Sequence, residues 1–375
     1  MKRSIRLLGL PAALAVAALA VSVSAAAVSA SDQGGGTALF VQDNSTDGNG
    51  IVAYQRSGDG SLTFLTTYPT GGLGGRQAGA GSDPLASQGS LVRDGGLLLA
   101  VNAGSDSITV FRIAGDTLVR TQVVSSGGPF PTSLAAHGNL VYVLDAGGQG
   151  FVSGYRVTGD GLQPIAGSTR TLLLGNTTTP FFLSSPAEVG FTPDGEHLIV
   201  TTKTHGTVDV FSIGPDGTPS AAPVKNAEAG VPFAFIFNSA GQMVLNFAGT
   251  GSLEAFTVNA DDTITPAGAP VSDGQAAACW VTPARDFAYV SNTGSNDVSQ
   301  SRTTSDGAVT LVNPTAASNI PGAIDSDSAG GAFLYVQAGL SSSVHVFRIG
   351  PAGSLTLVQV AAVPDGDDQE GIVVA

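Results

Sequence analysis

The chain has 375 residues, of which 42% are hydrophobic and only 12% are charged, and it contains 51 glycines and 20 prolines. Glycine without a triplet period excludes collagen, and the scarcity of Glu, Lys and Leu excludes a long coiled coil. Frequent short apolar runs with few charges exclude a disordered chain. The net charge of −14 and the lack of clustered Lys and Arg predict no nucleic-acid partner.

The first thirty residues have the pattern of a secretory signal. Three basic residues precede an apolar stretch from Leu7, and the segment ends in small residues at 28–30. We predict cleavage after Ala30, a secreted, extracellular protein and a single domain over residues 31–375. The alternative is an uncleaved anchor, and membrane association is expected only in that case. Removal of the signal leaves 12 basic against 29 acidic groups, a net charge of −17, which disfavours a phosphorylated ligand.

A unit with a spacing of 44 to 57 residues then occurs seven times. Each copy has an apolar strand that ends in a polar residue, a short Gly/Ser/Asp loop, and a second strand with a central aromatic residue. This aromatic position falls at Tyr54, Phe111, Tyr155, Phe211, Phe256, Ser301 and Phe347, with Ser301 as the exception. A repeat of this length predicts the blades of a β-propeller.

Turns such as TGDG and GPDG follow the second strands and predict a hairpin to a further strand, while a short apolar strand precedes most units. The sequence therefore predicts an all-β fold, a seven-bladed β-propeller with four antiparallel strands per blade. The first copy lacks its leading strand, and the chain ends in an isolated strand, GIVVA, at 371–375. We predict that this C-terminal strand joins the N-terminal blade and closes the ring.

Two of the intervals are long because they contain insertions, at about 69–87 and 168–185, which are expected to decorate the blades. Cys279 is the only cysteine, so an intramolecular disulfide is impossible. We expect Cys279, which lies beside Trp280, to act as a small buried apolar residue. The chain has no GxSxG motif, no Cys/His cluster and no dinucleotide fingerprint, so we expect no metal and no cofactor. Acidic segments at 43–50 and 364–371 leave calcium binding open.

The strand ends LAVN, YVLD, VLNF and YVSN, the TPDG turns and the VFRI strands resemble the lactonase-family seven-bladed propellers with YVTN-type repeats. That family includes bacterial 6-phosphogluconolactonase and fungal carboxymuconate cyclase, and the resemblance extends over residues 37–375. It implies a propeller fold and opening of a small lactone. Enzymatic relatives commonly have an Arg-His pair on an inner strand and an Asn-Glu step at the next strand end. The matching positions here are Ala187-Glu188 and Thr202-Lys203.

Residues that break the repeat are the best candidates for chemistry at the mouth of the channel, because an asymmetric reaction needs groups that the repeat does not demand. Glu188 begins an inner strand, where a carboxylate would activate water. Lys203 and His205 follow in the same blade and are expected to stabilise an oxyanion or to shuttle a proton. The alternative is an ordinary Glu188–Lys203 ion pair with His205 in solvent.

Three further residues are expected to bind substrate. Arg76 and Arg170 lie in or near the insertions and are suited to hold a carboxylate. Asp145 alone brings charge to a set of polar residues that end the second strands, and most of that set is better explained as loop caps. The set consists of Gln42, Asn102, Asp145, Thr202, Asn246, Asn292 and Gln337. His137 and His197 are expected on the opposite face in structural roles.

The sequence thus predicts a monomeric, lactonase-like hydrolase, similar to 6-phosphogluconolactonase, that acts on a small-molecule lactone or carbohydrate-like ligand. A non-catalytic binding propeller that recognises a sugar, a peptide or a cell-surface partner at the same mouth is the alternative. A cycloisomerase of the carboxymuconate type comes third, since the export signal disfavours it.

Overall fold

The computed structural model describes Met1 and residues 38–159 and 161–375. The predicted signal, apart from Met1, lies outside these described residues. In the described part of the chain, thirty β-strands form seven antiparallel sheets, and the few helical segments are single 3-10 turns at Ala103–Ser105, Lys203–His205, Pro351–Gly353 and Gly366–Asp368. Among the described residues, no helix combines the length and the hydropathy that a bilayer crossing requires.

Blades 1 to 4 follow one another along the chain, each named from its inner strand outward. Blade 1 consists of β30 (Ile372–Val374), β1 (Ala38–Gln42), β2 (Gly50–Arg56) and β3 (Leu62–Pro69). Blade 2 consists of β4 (Leu91–Asp94), β5 (Leu97–Asn102), β6 (Ser107–Ala114) and β7 (Thr117–Ser125). Blade 3 consists of β8 (Pro131–His137), β9 (Leu140–Asp145), β10 (Phe151–Thr158), β11 (Gly161–Pro164) and β12 (Arg170–Thr171). Blade 4 consists of β13 (Val189–Phe191), β14 (His197–Thr201), β15 (Thr207–Ser212) and β16 (Val224–Ala227).

Blades 5 to 7 complete the ring. Blade 5 consists of β17 (Pro232–Phe237), β18 (Met243–Phe247), β19 (Ser252–Val258), β20 (Ile264–Pro266) and β21 (Val271–Ser272). Blade 6 consists of β22 (Ala278–Ala284), β23 (Phe287–Asn292), β24 (Asp297–Thr303) and β25 (Val309–Ser318). Blade 7 consists of β26 (Ala323–Ala329), β27 (Phe333–Ala338), β28 (Ser343–Ile349) and β29 (Leu355–Ala362).

The C-terminal strand closes the ring as predicted. β30 pairs antiparallel with β1 in the register Leu39–Val374, Phe40–Val373 and Val41–Ile372. Its other side packs against the inner strands of the neighbouring blades, β4 and β26. Because this pairing gives the short C-terminal strand a backbone partner and a buried position, both ends of the described propeller are tied into one sheet.

The hydrophobic core lies between neighbouring blades. The second strand of a blade is buried along its length, as in β1, β5 and β14, because blades pack on both of its faces. The aromatic residues of the repeat fill these interfaces. Tyr54 also donates its hydroxyl to the Ala362 carbonyl of blade 7 at 2.6 Å, and Tyr155 donates to Ser125 of blade 2 at 2.6 Å. Each such buried hydrogen bond contributes about 1 kcal/mol.

Candidate active site at the channel mouth

The two insertions lie on the face that carries the loops leading into the inner strands, here called the upper face. They are bound to each other, since the Ala78 N–H donates to Pro180 at 2.9 Å and the Phe182 N–H donates to Ala78 at 3.1 Å. The Ser185 hydroxyl donates to the Gln77 side chain at 2.7 Å. The two insertions thus pack together on the upper face. The sequence predicted only that they decorate the blades, without a contact between them.

Residues 83–90, here called the mouth loop, continue from the first insertion into the centre of the ring. The Gln88 amide oxygen accepts the Val281 N–H at 3.1 Å, and the Gly89 carbonyl accepts the Leu134 N–H at 2.8 Å. The Trp280 indole donates to Ser87 at 2.9 Å. The mouth loop therefore bridges inner strands from different blades, and a ligand on the upper face has to bind against it.

A cavity of about 210 Å³ lies between the mouth loop and the inner strands. Gln88 and Gly89 of the mouth loop line it, and Asp325 and Asp327 of β26 are the acidic residues of its wall.

Three charged side chains meet at the mouth loop, and we call Asp83, Lys203 and Glu370 the mouth cluster. The Lys203 ammonium donates to the Ala86 carbonyl at 2.6 Å and lies 5.5 Å from the centre of the Phe233 ring. Asp83 accepts the Ala86 N–H at 2.6 Å. The carboxyl groups of Asp83 and Glu370 lie close enough to shift each other's pKa. A cation and two carboxyl groups thus share one small volume.

Exposure differs sharply within the mouth cluster. Glu370 is 0% exposed and Lys203 is 2% exposed, whereas Asp83 is only partly buried. The Glu370 carboxyl also accepts the Leu85 N–H at 2.7 Å and the Ser87 N–H at 3.3 Å, so the mouth loop holds it in place.

Burial and mutual contact shift the pKa values of all three groups. Burial raises the pKa of Asp83 to about 6, while Lys203 and Arg76 oppose this rise. Burial raises the pKa of Glu370 well above its usual value, and the neighbouring Asp83 charge raises it further. Burial lowers the pKa of Lys203 to about 8, against the attraction of Asp83 and Glu370. The Asp83 charge thus opposes ionisation of Glu370, whereas Lys203 favours the ionised form of Asp83.

The backbone that presents these groups is strained. Lys203 has a φ of 25° and Ala86 a φ of 47°, in the region that side chains other than glycine rarely adopt. The hydrogen bond between them therefore joins two left-handed residues. Gly371, with a φ of 97°, turns the chain from Glu370 into the closing strand, and an added Cβ there would lie 2.4 Å from the Ser90 hydroxyl. Strain of this kind is typical of functional sites.

Glu188 lies directly before β13, where the sequence predicted it, but it has no ionic contact with Lys203. Its carboxyl accepts the Phe235 N–H at 2.7 Å and lies 3.4 Å from the Gln88 amide. Burial raises its pKa well above the usual value, and Asp325 raises it further. Neither the proposed cluster nor the alternative ion pair with Lys203 forms among the described residues.

The remaining predicted residues divide into one beside the mouth and three elsewhere. Arg76 forms an ion pair with Asp368, and its Nη1 donates to Gly81 at 2.6 Å and to Ala80 at 3.2 Å. Its charge acts on Asp83, so it lies near the mouth cluster, although the guanidinium is already bound. His205 is exposed at the end of its 3-10 turn. The structure therefore brings Lys203 and Arg76 to the mouth and leaves His205 in solvent.

Arg170 lies at the outer edge of blade 3. Its guanidinium donates to carbonyls of Gly167 at 2.7 Å, Ser220 at 2.7 Å and Pro219 at 2.5 Å. The last two belong to blade 4, so Arg170 latches two blades together and does not face the channel.

Asp145 ends β9 and is 0% exposed, and within residues 38–159 and 161–375 neither of its carboxyl oxygens has a hydrogen-bond donor. Burial raises its pKa to about 8; the Ser126 hydroxyl opposes the rise and Asp106 adds to it. Of the equivalent residues, Asn246 donates across to the next blade, to Ala278 at 2.7 Å and to Cys279 at 2.8 Å, whereas Thr202 donates within its own loop to the Thr207 carbonyl at 2.9 Å. The interpretation of the polar set as loop caps therefore fits Thr202 and is wrong for Asn246.

The two histidines expected on the opposite face lie there. His137 is 3.2 Å from the Pro193 carbonyl, and His197 lines a groove of about 540 Å³ and lies 3.5 Å from Asp262. Over residues 38–159 and 161–375, no group of three or more His, Cys, Asp or Glu side chains is arranged to hold a metal ion. In the first acidic segment, Asp43 accepts the backbone N–H groups of Ser45 and Gly50 at 3.0 and 2.8 Å.

Sequence reasoning missed Asp83 and Glu370. Glu370 lies one residue before β30, much as Glu188 lies directly before β13, so the rule that selected Glu188 also points to Glu370 once the closing strand is predicted. Asp83 lies in an insertion, where the repeat offers nothing for alignment. Cys279 is partly buried beside the mouth cluster, and burial raises the pKa of its thiol.

Comparison with known proteins supports the fold. Residues 247–366 match the family described as lactonase, 7-bladed beta-propeller. The periplasmic gluconolactonase of Pseudomonas aeruginosa superposes with a TM-score of 0.67 at 18% identity, over 90% of this chain and 99% of that chain. A candidate 6-phosphogluconolactonase of Bacteroides fragilis gives 0.70 at 18% identity, over 92% and 99%. No curated protein sequence matches the chain. The resemblance to lactonase-family seven-bladed propellers, predicted from the strand ends and turns, is thus confirmed.

Proposed function

We propose that this protein is an exported hydrolase that opens a small lactone at the upper face of its propeller. The observation that carries the proposal is the buried Lys203 ammonium beside two carboxyl groups at the channel mouth. The lactonase family match and the fold shared with the Pseudomonas aeruginosa gluconolactonase supply the reaction class.

Lactone opening needs a positive group at the carbonyl oxygen. Attack of water on the carbonyl carbon places a negative charge on that oxygen, and a fixed cation in a poorly solvated site stabilises it. Lys203 is held by the Ala86 carbonyl and the Phe233 ring, so its ammonium needs little reorganisation. A lactone carbonyl that displaces the Ala86 contact would receive the same donor.

The charge of the mouth favours an uncharged lactone. Asp83, Asp368 and Glu370 lie at or beside the mouth, and the Arg76 guanidinium is already paired with Asp368. A phosphate dianion would have to displace that pair and approach several carboxyl groups. The substrate class is therefore a neutral sugar lactone or a similar small cyclic ester.

The test is hydrolysis of a panel of neutral and phosphorylated lactones, followed by release of the hydroxy acid. We expect the purified protein to open a neutral member, and Lys203→Met to lower kcat at least 100-fold with an unchanged circular dichroism spectrum. Lys225→Met is the matched control, because Lys225 pairs with Asp209 on the outer strands of blade 4. A wild-type protein that opens no lactone, or a fully active Lys203→Met variant, overturns the proposal.

A non-catalytic binding propeller is the second candidate, and the mouth loop favours it. The polar groups at the mouth, including Trp280 and Lys203, already bind the backbone of this loop. Binding of a glycan or a peptide that survives both Glu188→Gln and Lys203→Met, in a protein without lactonase activity, would support this alternative.

A further inference from the structure

We propose that Asp83 is the catalytic base of this site and that Glu370 is its positioning residue, so that the mouth loop and the closing strand supply water activation. The inference rests on the proposed lactone hydrolysis and deepens it, because it replaces Glu188 in the role that the sequence suggested. It stands on three features of the geometry: the partial exposure of Asp83, the backbone contacts that hold Glu370, and the contact that Asp83 and Lys203 both make with Ala86.

Asp83 is the most exposed member of the mouth cluster. Lys203 and Glu370 are 2% and 0% exposed, whereas Asp83 retains partial exposure on the upper face. Its carboxylate accepts the Ala86 N–H at 2.6 Å, which fixes its orientation relative to the Lys203 ammonium on the Ala86 carbonyl. One backbone unit of the mouth loop therefore aligns base and cation.

Glu370 keeps the proton of the pair. It is fully buried, and its carboxyl group accepts two mouth-loop N–H groups. The Ser90 hydroxyl also donates to the Glu370 backbone carbonyl at 3.1 Å, so the residue is held rigidly. Asp83 instead lies close to the charges of both Lys203 and Arg76, which favour its ionised form. The Glu370 carboxyl thus donates to the Asp83 carboxylate and leaves it ready to accept a proton from water.

Glu188 lacks these features. Its two oxygens face the Phe235 N–H and the Gln88 amide, and no Lys, Arg or His of the described chain forms an ion pair with it. Its nearest acidic neighbour, Asp325, opposes ionisation. A neutral carboxyl group cannot remove a proton from water, so Glu188 is expected to support the wall of the channel.

Asp83 is the only residue that accepts and returns a proton in this reaction. Asp83 takes one proton from water as the water oxygen forms a bond to the lactone carbonyl carbon, and Lys203 stabilises the resulting oxyanion. The ring C–O bond then breaks, and Asp83 returns the proton to the leaving alkoxide. One water is consumed, one hydroxy acid forms, and Asp83 is again ionised.

The first experiment compares Asp83→Asn with Glu188→Gln in the lactone assay. We expect Asp83→Asn to lower kcat by about 10²- to 10⁴-fold and Glu188→Gln to change it less than about threefold. Because Asp83→Asn removes contacts of the mouth loop, Asp83→Ala with added formate is the second variant. Partial rescue by formate requires a missing base. Equal losses for Asp83→Asn and Glu188→Gln, or activity retained in Asp83→Asn, overturn the assignment.

The second experiment tests the positioning role of Glu370 through the pH–rate profile. Glu370→Gln keeps a donor to Asp83, so we expect the acid limb to stay in place. Glu370→Leu removes the donor, so the acid limb should move to higher pH. Identical limbs in both variants overturn the role of Glu370. If the wild-type protein opens no lactone, the proposed function fails. The pair can still be tested by infrared spectroscopy, because the band of a protonated carboxyl group should be present in the wild type and lost in Glu370→Gln.

Discussion

Asp145 provides a direct test of how burial controls stability in this propeller. The residue is 0% exposed, and no donor in the part of the chain that the structure describes reaches either carboxyl oxygen. Its pKa rises from 3.8 to about 8 on folding, mainly because burial disfavours the charge. The folded state therefore binds a proton that the unfolded state releases between these two values, and stability falls as pH rises from about 4 to about 8.

The size of the effect follows from the shift. Each pH unit in this window costs about 1.4 kcal/mol, so about 4 kcal/mol is lost between about pH 4 and pH 7. Asparagine has the shape of the protonated acid and does not titrate. We expect Asp145→Asn to match the wild type near pH 4 and to exceed its free energy of unfolding by about 4 kcal/mol near pH 7.

The assay is denaturant unfolding of both proteins across this pH range. The quantity compared is the difference between their free energies of unfolding. Other buried acids, such as Glu188 and Asp325, titrate in both proteins and cancel in that difference. The converse variant, Asn246→Asp, removes donors to two carbonyls and should become less stable than wild type as pH rises. A wild-type-to-variant difference that does not change with pH would refute this account of Asp145.

The site and the ring lead to further expectations. The pH–rate profile should be bell-shaped, rising as Asp83 ionises near pH 6 and falling as Lys203 loses its proton near pH 8; a profile flat from about pH 5 to 9 contradicts the assignment. Val373→Asp should lower the free energy of unfolding by about 3 kcal/mol or more in denaturant titrations, because it buries an unpaired charge opposite Phe40, and Val373→Ala is the milder control. Arg170→Met should lower it by about 1–3 kcal/mol through loss of the inter-blade hydrogen bonds, with lactone opening unchanged, and an activity loss would return Arg170 to the substrate site.

The fold was predictable because a propeller repeats local signals. Alternating strands and turn residues recur in every blade and a buried aromatic in all but one, and the closing strand follows from the missing strand of the first copy. Even the departure at Ser301 leaves the residue buried at 3% exposure, since neighbouring side chains fill the interface. Periodicity carries this information without knowledge of any long-range contact.

The site was predictable only where it follows the repeat. Glu188 and Lys203 were found because they occupy repeat positions with unusual residues, yet their partners come from the mouth loop and from the next blade. The mouth loop reaches the channel through an insertion, and Asp83 meets Glu370 from the opposite end of the chain. Sequence spacing within a blade therefore predicts an ion pair between Glu188 and Lys203. In the structure, both side chains instead contact residues that are distant in sequence.

The segment that closes the ring also places Glu370 in the mouth cluster. Only Gly371 separates Glu370 from β30, a strand of three residues, and the Glu370 N–H donates to the Gln42 carbonyl of β1 at 3.1 Å. So short a strand opens locally at a lower free energy than the rest of the sheet, and each opening withdraws Glu370 from Asp83 and from the mouth loop. Activity should therefore be lost at a lower denaturant concentration than the β-sheet signal. Coincident loss of both signals would mean that the closing strand separates only when the whole propeller unfolds.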